Sequence, residues 1–289
     1  MSWRLYRCVW KLHSPLHVGT GPAGSLNRTR LYVLARTVWG ALTAELARGQ
    51  SGNFPDYQNI GRGLSQQCRF SYLFPAQQVD RHWRAWLPRY EEGHGLVWRR
   101  EDCQNAGDGV PDRVFRSWLL TTRPGTAIDP GSDSAAEGTL REYEVINPWS
   151  RWGEKGELRP VALVGYVFLS DTAPQGILDI TELFIGGDIR YGLGQVRRVE
   201  CSNAGDLFGR AVRMTGSDPV VETHHVLAHA LPAGATDLLG AMEQLAMWDY
   251  GRFMTGELTW APGCQVRGDC ASWRIREDGL WERAQEGDK

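Results

Sequence analysis

Between Ile185 and Val196 the chain reads IGGDIRYGLGQV, with four glycines in nine positions. Glycine has no Cβ, so such a run suits backbone that turns through left-handed conformations or comes close to another group. Two structures satisfy that demand. One is a tight turn between regular elements, and the other is a concavity of bare N–H groups facing phosphate oxygens. Arg190, Arg197 and Arg198 bring positive charge to the stretch. Tyr191 adds a flat ring on which an unpaired base can stack.

The charge distribution favours the groove. The net charge is only −2, but residues 1–89 hold twelve Arg or Lys against three acids, a surplus of nine. Residues 90–289 hold twenty bases against thirty-one acids, a deficit of eleven. Such asymmetry points to a polyanion-binding face in the opening part of the chain. Only Lys11, Lys155 and Lys289 are lysines, and the arginine fork both grips phosphate and stacks on bases. Thirteen tryptophans in 289 residues can fill a substantial core. No run of about 18 apolar residues suggests a membrane span, and the opening MSWRLYRCVWKLHSP lacks the pattern of a secretory signal. The six cysteines form no C-x-x-C pair. They read as reduced thiols of a cytoplasmic protein rather than a zinc site or a disulfide frame.

Along the chain, WRLYRCVWKL alternates as a strand and HSPLHVGTGPAGSLNRT reads as a loop. VLARTVWGALTAELARG has the period of an amphipathic helix ended by Gly49. Residues 50–68 and 91–111 read as loops, with a short helix expected at QVDRHWRAWL. Residues 121–144 read as a long mobile loop. RPVALVGYVFLSD is a strong strand with Gly165 as a bulge candidate. ILDITELFI suits a short helix leading into the glycine-rich loop, and QVRRVEC a strand leaving it. Past Asn203 the expectation is a strand at HHVLAHAL, a helix at TDLLGAMEQLAMWDYGRF, and strands at GELTWAP and CASWRIRED. This succession outlines an α+β chain with a ferredoxin-like, RRM-type core over 1–203. It carries the insertion at 121–144 and a smaller C-terminal α+β unit over 204–289.

GTGPAG at 19–24 matches G-x-G-x-x-G, yet SLNRTRLYV after it is too polar and β-branched to open the helix a dinucleotide site needs. His224, His225 and His229 have no H-E-x-x-H glutamate between them, so packing is expected there and no metal site. His13 and His17 flank a basic loop, where histidine can serve as acid or base in RNA cleavage.

Three segments together resemble the RAMP superfamily of CRISPR effector proteins. LHSPLHVGTG followed by YVLARTVWGAL is similar to the family's first strand, loop and entry into the first helix, through Tyr32, Val33, Thr37 and Gly40. TAIDPGSDSAAEGTLREYEVI is similar to the family's thumb-like loop, through Ile128, Asp129, Ala136, Glu137, Gly138, Leu140 and Glu144. FIGGDIRYGLGQV is similar to its glycine-rich loop. The resemblance implies a CRISPR RNA-binding subunit of a type III-like antiviral effector complex, at the guide's 5′-handle end or in the backbone. Its partners would be CRISPR RNA, target RNA and other complex subunits, with no cofactor and no membrane. Target-cleaving relatives carry an aspartate after the first strand. This chain has no acid before Glu45 and Asn27 in that region, so a non-catalytic role is expected. The RNA-binding residues expected are Arg28, Arg30, Arg36, Gly186, Gly187, Arg190, Tyr191, Gly192, Gly194 and Arg197. Two alternatives stay open: a metal-independent endoribonuclease that processes guide precursors with His13 or His17, and a protein-binding scaffold without RNA contact.

Overall fold

The computed structural model describes residues 1–50, 54–103, 108–153, 156–174, 176–232, 238–249 and 252–284, with backbone alone at 247–249. The chain is α+β, with mostly antiparallel sheets and three α-helices among the described residues. Its largest sheet runs in the order β16-β17-β1-β15-β5-β6-β7-β8, and β4 adds to β15. These strands are β1 (Trp3–Leu12), β4 (Cys68–Phe70), β5 (Phe74–Val79), β6 (His82–Glu91), β7 (Gly95–Arg100), β8 (Val110–Pro111), β15 (Ala162–Ser170), β16 (Glu182–Phe184) and β17 (Gln195–Asn203).

β15 is buried at every position, as its unbroken apolar run requires of a strand covered on both faces. β1 lies antiparallel between β15 and β17. Gly165 sits in regular register opposite Cys8, and the bulge falls instead in the β1–β17 ladder, between Val9 and Trp10. The glycine is required by packing: a Cβ there would stand 2.3 Å from Leu73 Cδ2 and 2.9 Å from the Tyr72 carbonyl oxygen. On the other side, Tyr166 packs edge-on against Phe208, at 4.7 Å between centroids.

Helix α1 (Ala35–Arg48) follows the expected period and buries Ala35, Val38, Leu42, Thr43 and Ala47. A second helix, α2 (Tyr57–Gln67), occupies the expected loop at 50–68; Asp56 caps it by accepting the Asn59 N–H at 3.1 Å. Gly61 lets α2 lie against Trp39, whose indole N–H donates to the Gly61 carbonyl at 2.9 Å. The loop expected at 91–111 contains β7 and β8, and α3 (Asp112–Leu119) follows.

QVDRHWRAWL is a hairpin between β5 and β6, not a helix: Asp80 and Arg81 both take positive φ, and Val79 pairs with His82. Two left-handed residues suit a two-residue hairpin turn, but Asp-Arg is not the dipeptide that announces one. ILDITELFI divides into a 3-10 turn at Ile177–Asp179 and strand β16.

The helix expected at 236–253 begins outside the described residues, and its described part is strand. β22 (Met242–Asp249) pairs antiparallel with β23 (Arg252–Trp260). Leu, Ala, Met and Glu favour a helix, but tertiary pairing overrides such a preference. Here Glu243 is held by Arg30 and His229. With that helix gone, the described part of 204–284 is strand and loop, where an α+β composition was expected. Its five-stranded sheet comprises β18 (Asp206–Leu207), β19 (Arg210–Arg213), β20 (Val220–Thr223), β25 (Ala271–Ile275) and β26 (Trp281–Arg283). HHVLAHAL forms isolated bridges there, at His225 and Ala230, rather than a strand.

The three histidines of that segment take separate roles. His224 is exposed. His229 is fully buried, with Nδ1 2.8 Å from the Tyr72 hydroxyl and Nε2 2.9 Å from Glu243. His225 has a buried Nε2 with no hydrogen-bond partner. Burial, then the charges of Arg89 and Arg210, hold its pKa down at about 4 against an ordinary 6.5. The unfolded chain takes up a proton at this residue below 6.5, while the folded chain stays neutral until about 4. Stability present above 6.5 is therefore lost as pH falls through that window. The thermal midpoint should drop between neutral pH and pH 4, and His225→Asn should flatten the drop; an unchanged slope in the variant would refute this origin.

Candidate nucleic-acid interface

The glycine-rich loop is seated on the loop that follows β1. Gly187 N–H donates to the His17 carbonyl and Gly194 N–H to the Pro15 carbonyl, both at 2.8 Å. Gly192 N–H closes a short turn on Ile189 (3.1 Å), and Ile185 N–H reaches the Gly194 carbonyl (2.9 Å). Gly186, Gly192 and Gly194 have φ of +86°, +80° and +80°, the left-handed region. A Cβ at Gly186 would lie 2.3 Å from the His17 oxygen, and one at Gly194 would lie 2.0 Å from the Ile185 oxygen. The expectation of bare amides is corrected accordingly: three of the four glycine N–H groups are already bonded, two to the loop after β1 and one within the glycine loop itself. Close approach and left-handed backbone are what demand glycine. What the loop offers outward is its crest, where Arg190 and Ile189 are exposed and Tyr191 is 63% exposed.

A second sheet comes up beside that crest. Its order is β2-β3-β12-β9, formed by β2 (Gly19–Ala23), β3 (Leu26–Thr29), β12 (Arg141–Ile146) and β9 (Leu120–Gly125). The stretch at 121–144 is thus no mobile loop: β9 and β12 form a ladder from Leu120–Ile146 to Gly125–Arg141. Its tip is the small hairpin of β10 (Ile128–Asp129) and β11 (Ser134–Ala135). Asp129 organises the tip turn, accepting from Gly131 N–H and Ser132 Oγ at 2.9 Å each. Those bonds hold its pKa below the ordinary carboxylate value. Ile128 and Leu140 project exposed from this arm, and Glu137 is exposed beside them.

β12 carries the groups that meet the glycine loop. The Arg141 guanidinium stands 4.5 Å from the Tyr191 ring centroid and 5.8 Å from that of Tyr143, within cation–π range of both. Tyr143 meets His17 edge-on at 5.5 Å. Partial burial and then the Asp188 carboxylate raise the Tyr143 phenol above its usual pKa. On neighbouring strands Tyr143 is opposite Arg123 on β9 and Asn27 on β3. Arg123 is exposed. Asn27 donates its side-chain amide to the Glu142 carbonyl (3.2 Å), and Glu144 accepts the Thr29 N–H (2.9 Å). Arg123, Arg141 and Tyr143 were not among the sequence candidates. The alternation in REYEVI carries a weak strand signal, but nothing local in it predicts a neighbour 50 residues on.

The other expected residues are dispersed. Arg28 is exposed on β3, in the same sheet as Tyr143. Arg197 lies at the root of the loop on β17, 3.6 Å from Glu182 and opposite Lys11. Arg30 is engaged elsewhere: it donates to Glu243 at 2.7 Å and stacks over Tyr32. Arg36 lines a cavity with Tyr72, Gly256 and Asp278. The structure therefore brings Tyr191, with Arg190 beside it, to Arg141 of β12. Arg28 alternates with Asn27 and points to the opposite face of that sheet from Tyr143, and Arg30 and Arg36 lie outside the group. His17 is buried, and its Nδ1 lies 2.8 Å from the Glu144 carbonyl, which requires that nitrogen to carry the proton. His13 is exposed at the start of the same loop.

No protein-family model matches the chain. No curated protein matches it either. Among solved structures, it resembles a chain in the cryo-EM structure of the Type III-B Cmr-beta bound to cognate target RNA and AMPPnP, state 1. The TM-score is 0.58 at 13% identity, covering 90% of this chain and 85% of that one. A chain in the cryo-EM structure of the Type III-B Cmr-beta bound to cognate target RNA gives a TM-score of 0.54 at 12% identity, covering 90% and 86%. The likeness shows a shared fold.

The steric account of the glycines separates two substitutions. Gly194→Ala should destabilise the fold strongly, by about 2 kcal/mol or more, since backbone blocks the new Cβ. Gly192→Ala, with nothing within 4 Å of its Cβ, should cost only the left-handed penalty of about 1 kcal/mol. Urea unfolding of the two variants measures the difference, and equal losses would contradict it.

Proposed function

We propose that this chain is a CRISPR RNA-binding subunit of the RAMP type in a type III-like effector complex, acting as a binder and not a nuclease. The fold likeness to chains of the Type III-B Cmr-beta structures supports the class of assembly. A ferredoxin-like core fits the strand order β17-β1-β15-β4, with α1 after β1 and the 3-10 turn at Ile177–Asp179 in place of a second helix. The observation that carries RNA binding is the Arg141–Tyr191 pair: an exposed ring with a guanidinium on one face, with exposed Arg190 beside it in the chain and exposed Arg123 opposite Tyr143 on the same sheet. A base stacked on Tyr191 places its own phosphates among these arginines, and such contacts hold a strand largely without reading sequence. The exposed Ile128 and Leu140 of the arm suit contact with a duplex or a neighbouring subunit.

Binding to a single-stranded, repeat-derived RNA tests the reading. Tyr191→Ala should weaken it by about 1–3 kcal/mol, the worth of one stacked base. Arg190→Glu with Arg141→Glu should weaken it further, with unaltered circular dichroism. The logarithm of affinity should fall with salt at a slope of about −0.7 per neutralised phosphate. Affinity that ignores both salt and Tyr191 would end the proposal, and absence of any RNA binding would favour the scaffold reading. The processing alternative narrows to His13, since His17 is buried and bonded to Glu144. Cleavage of repeat RNA in chelator, lost in His13→Ala, would establish it instead.

A further inference from the structure

Cys8 on β1 and Cys201 on β17 are directly opposed across the antiparallel ladder, and their sulfurs are 2.8 Å apart. Opposed residues in such a ladder have Cα atoms about 4.5–5.5 Å apart, inside the span of about 4.4–6.8 Å that a disulfide bridges. Bonded sulfurs lie about 2.0 Å apart, so closure asks for less than about 1 Å of movement. Both cysteines are free thiols in this structure; Cys8 is buried and Cys201 is half-buried. None of this is visible in the sequence, where the two lie 193 positions apart.

We propose that Cys8 and Cys201 form a paired-thiol modification site that closes to an intramolecular disulfide by exchange with a small disulfide of the oxidised-glutathione class. Cys201 is the attacking group because it is the accessible one. The Cys8 thiol beside it, then the charge of Arg198, hold it at about 7 against burial. The bond to Cys201 and burial push Cys8 upward. In the first step the Cys201 thiolate attacks one sulfur of the reagent, the reagent's S–S bond breaks, and one small thiolate leaves. In the second, the Cys8 sulfur attacks Cys201 Sγ, its proton passes to solvent, and the mixed disulfide breaks to release the second small thiolate. Two protein thiols are oxidised and one reagent disulfide is reduced to two thiols, so no other oxidant is needed. The bridge ties β17, the strand that leaves the glycine-rich loop, to β1. It also links positions far apart in the chain, which restricts the unfolded state.

The full-length chain is incubated in glutathione mixtures of graded oxidised fraction, its thiols are alkylated under denaturing conditions, and unreduced peptides are mapped by mass spectrometry. A Cys8–Cys201 linked peptide should accumulate with the oxidised fraction, while Cys68 and Cys264, both buried, stay alkylated. The thermal midpoint should rise by several degrees and return on addition of dithiothreitol. Cys201→Ser should remove the link and the rise without changing the reduced midpoint. Full alkylation of both residues across the series, or a glutathione adduct on Cys201 that never resolves onto Cys8, overturns the proposal. The result is independent of RNA binding.

Discussion

The molecule is organised around a strand that cannot sit at a surface. β15 is buried at each of its nine positions, so it must be paired on both edges and covered on both faces. β1 takes one edge, and β4 and β5 take the other. Gly165 lets Leu73 and the Tyr72 backbone pass at a distance no side chain would permit. Phe208, beyond β17 in the chain, covers Tyr166. Once β1 is fixed beside β15, its far edge is available to β17, and with β17 comes the glycine-rich loop.

That loop then has only one seat. Gly187 and Gly194 donate their N–H groups to the His17 and Pro15 carbonyls, and a Cβ at Gly186 would collide with the His17 oxygen, so the loop after β1 and the loop before β17 behave as one body. At the crest that remains, Tyr191 faces β12, where Arg141 and Tyr143 stand, and Arg190 is exposed beside it. His17 joins all three parts, through its carbonyl to Gly187, its Nδ1 to Glu144 and its ring to Tyr143. A buried histidine in this position serves positioning better than proton transfer. Strand β22 is likewise tied in through charge as well as packing. Burial disfavours the ionised Glu243, but hydrogen bonds from His229 and Arg30 more than offset this and hold it ionised at about 2. Arg30 therefore joins the N-terminal part to the C-terminal hairpin and is withdrawn from any ligand.

Elements whose side chains repeat with one strong period were legible in the sequence. β1, β15, β17 and α1 appear where alternation, an apolar run or a four-residue recurrence announced them. Elements held by partners distant in sequence were not. β22 is composed of helix formers yet lies in a ladder with β23 and is anchored by Glu243. The β5–β6 turn uses Asp80 and Arg81, a pair that no turn preference singles out. β9 and β12 are rich in polar residues and glycine or proline neighbours, and it is pairing with each other, and of β12 with β3, that gives them regular structure. The candidate interface divides in the same way. Arg190 and Tyr191 could be picked out because glycine and aromatic residues stand together in the chain, whereas Arg141 and Arg123 gain meaning only from the strands on either side.

From its residues alone the chain determined an α+β composition, a buried central strand, a cationic opening and a glycine turn with an aromatic at its crest. These are short-range properties, set by side-chain volume, charge and backbone freedom within a few positions. Tertiary structure decided which arginines share a face, which are consumed by buried pairs, and that Cys8 meets Cys201. Those outcomes depend on sheet order and register, where a one-residue slip reverses every side chain and no local pattern specifies the partner.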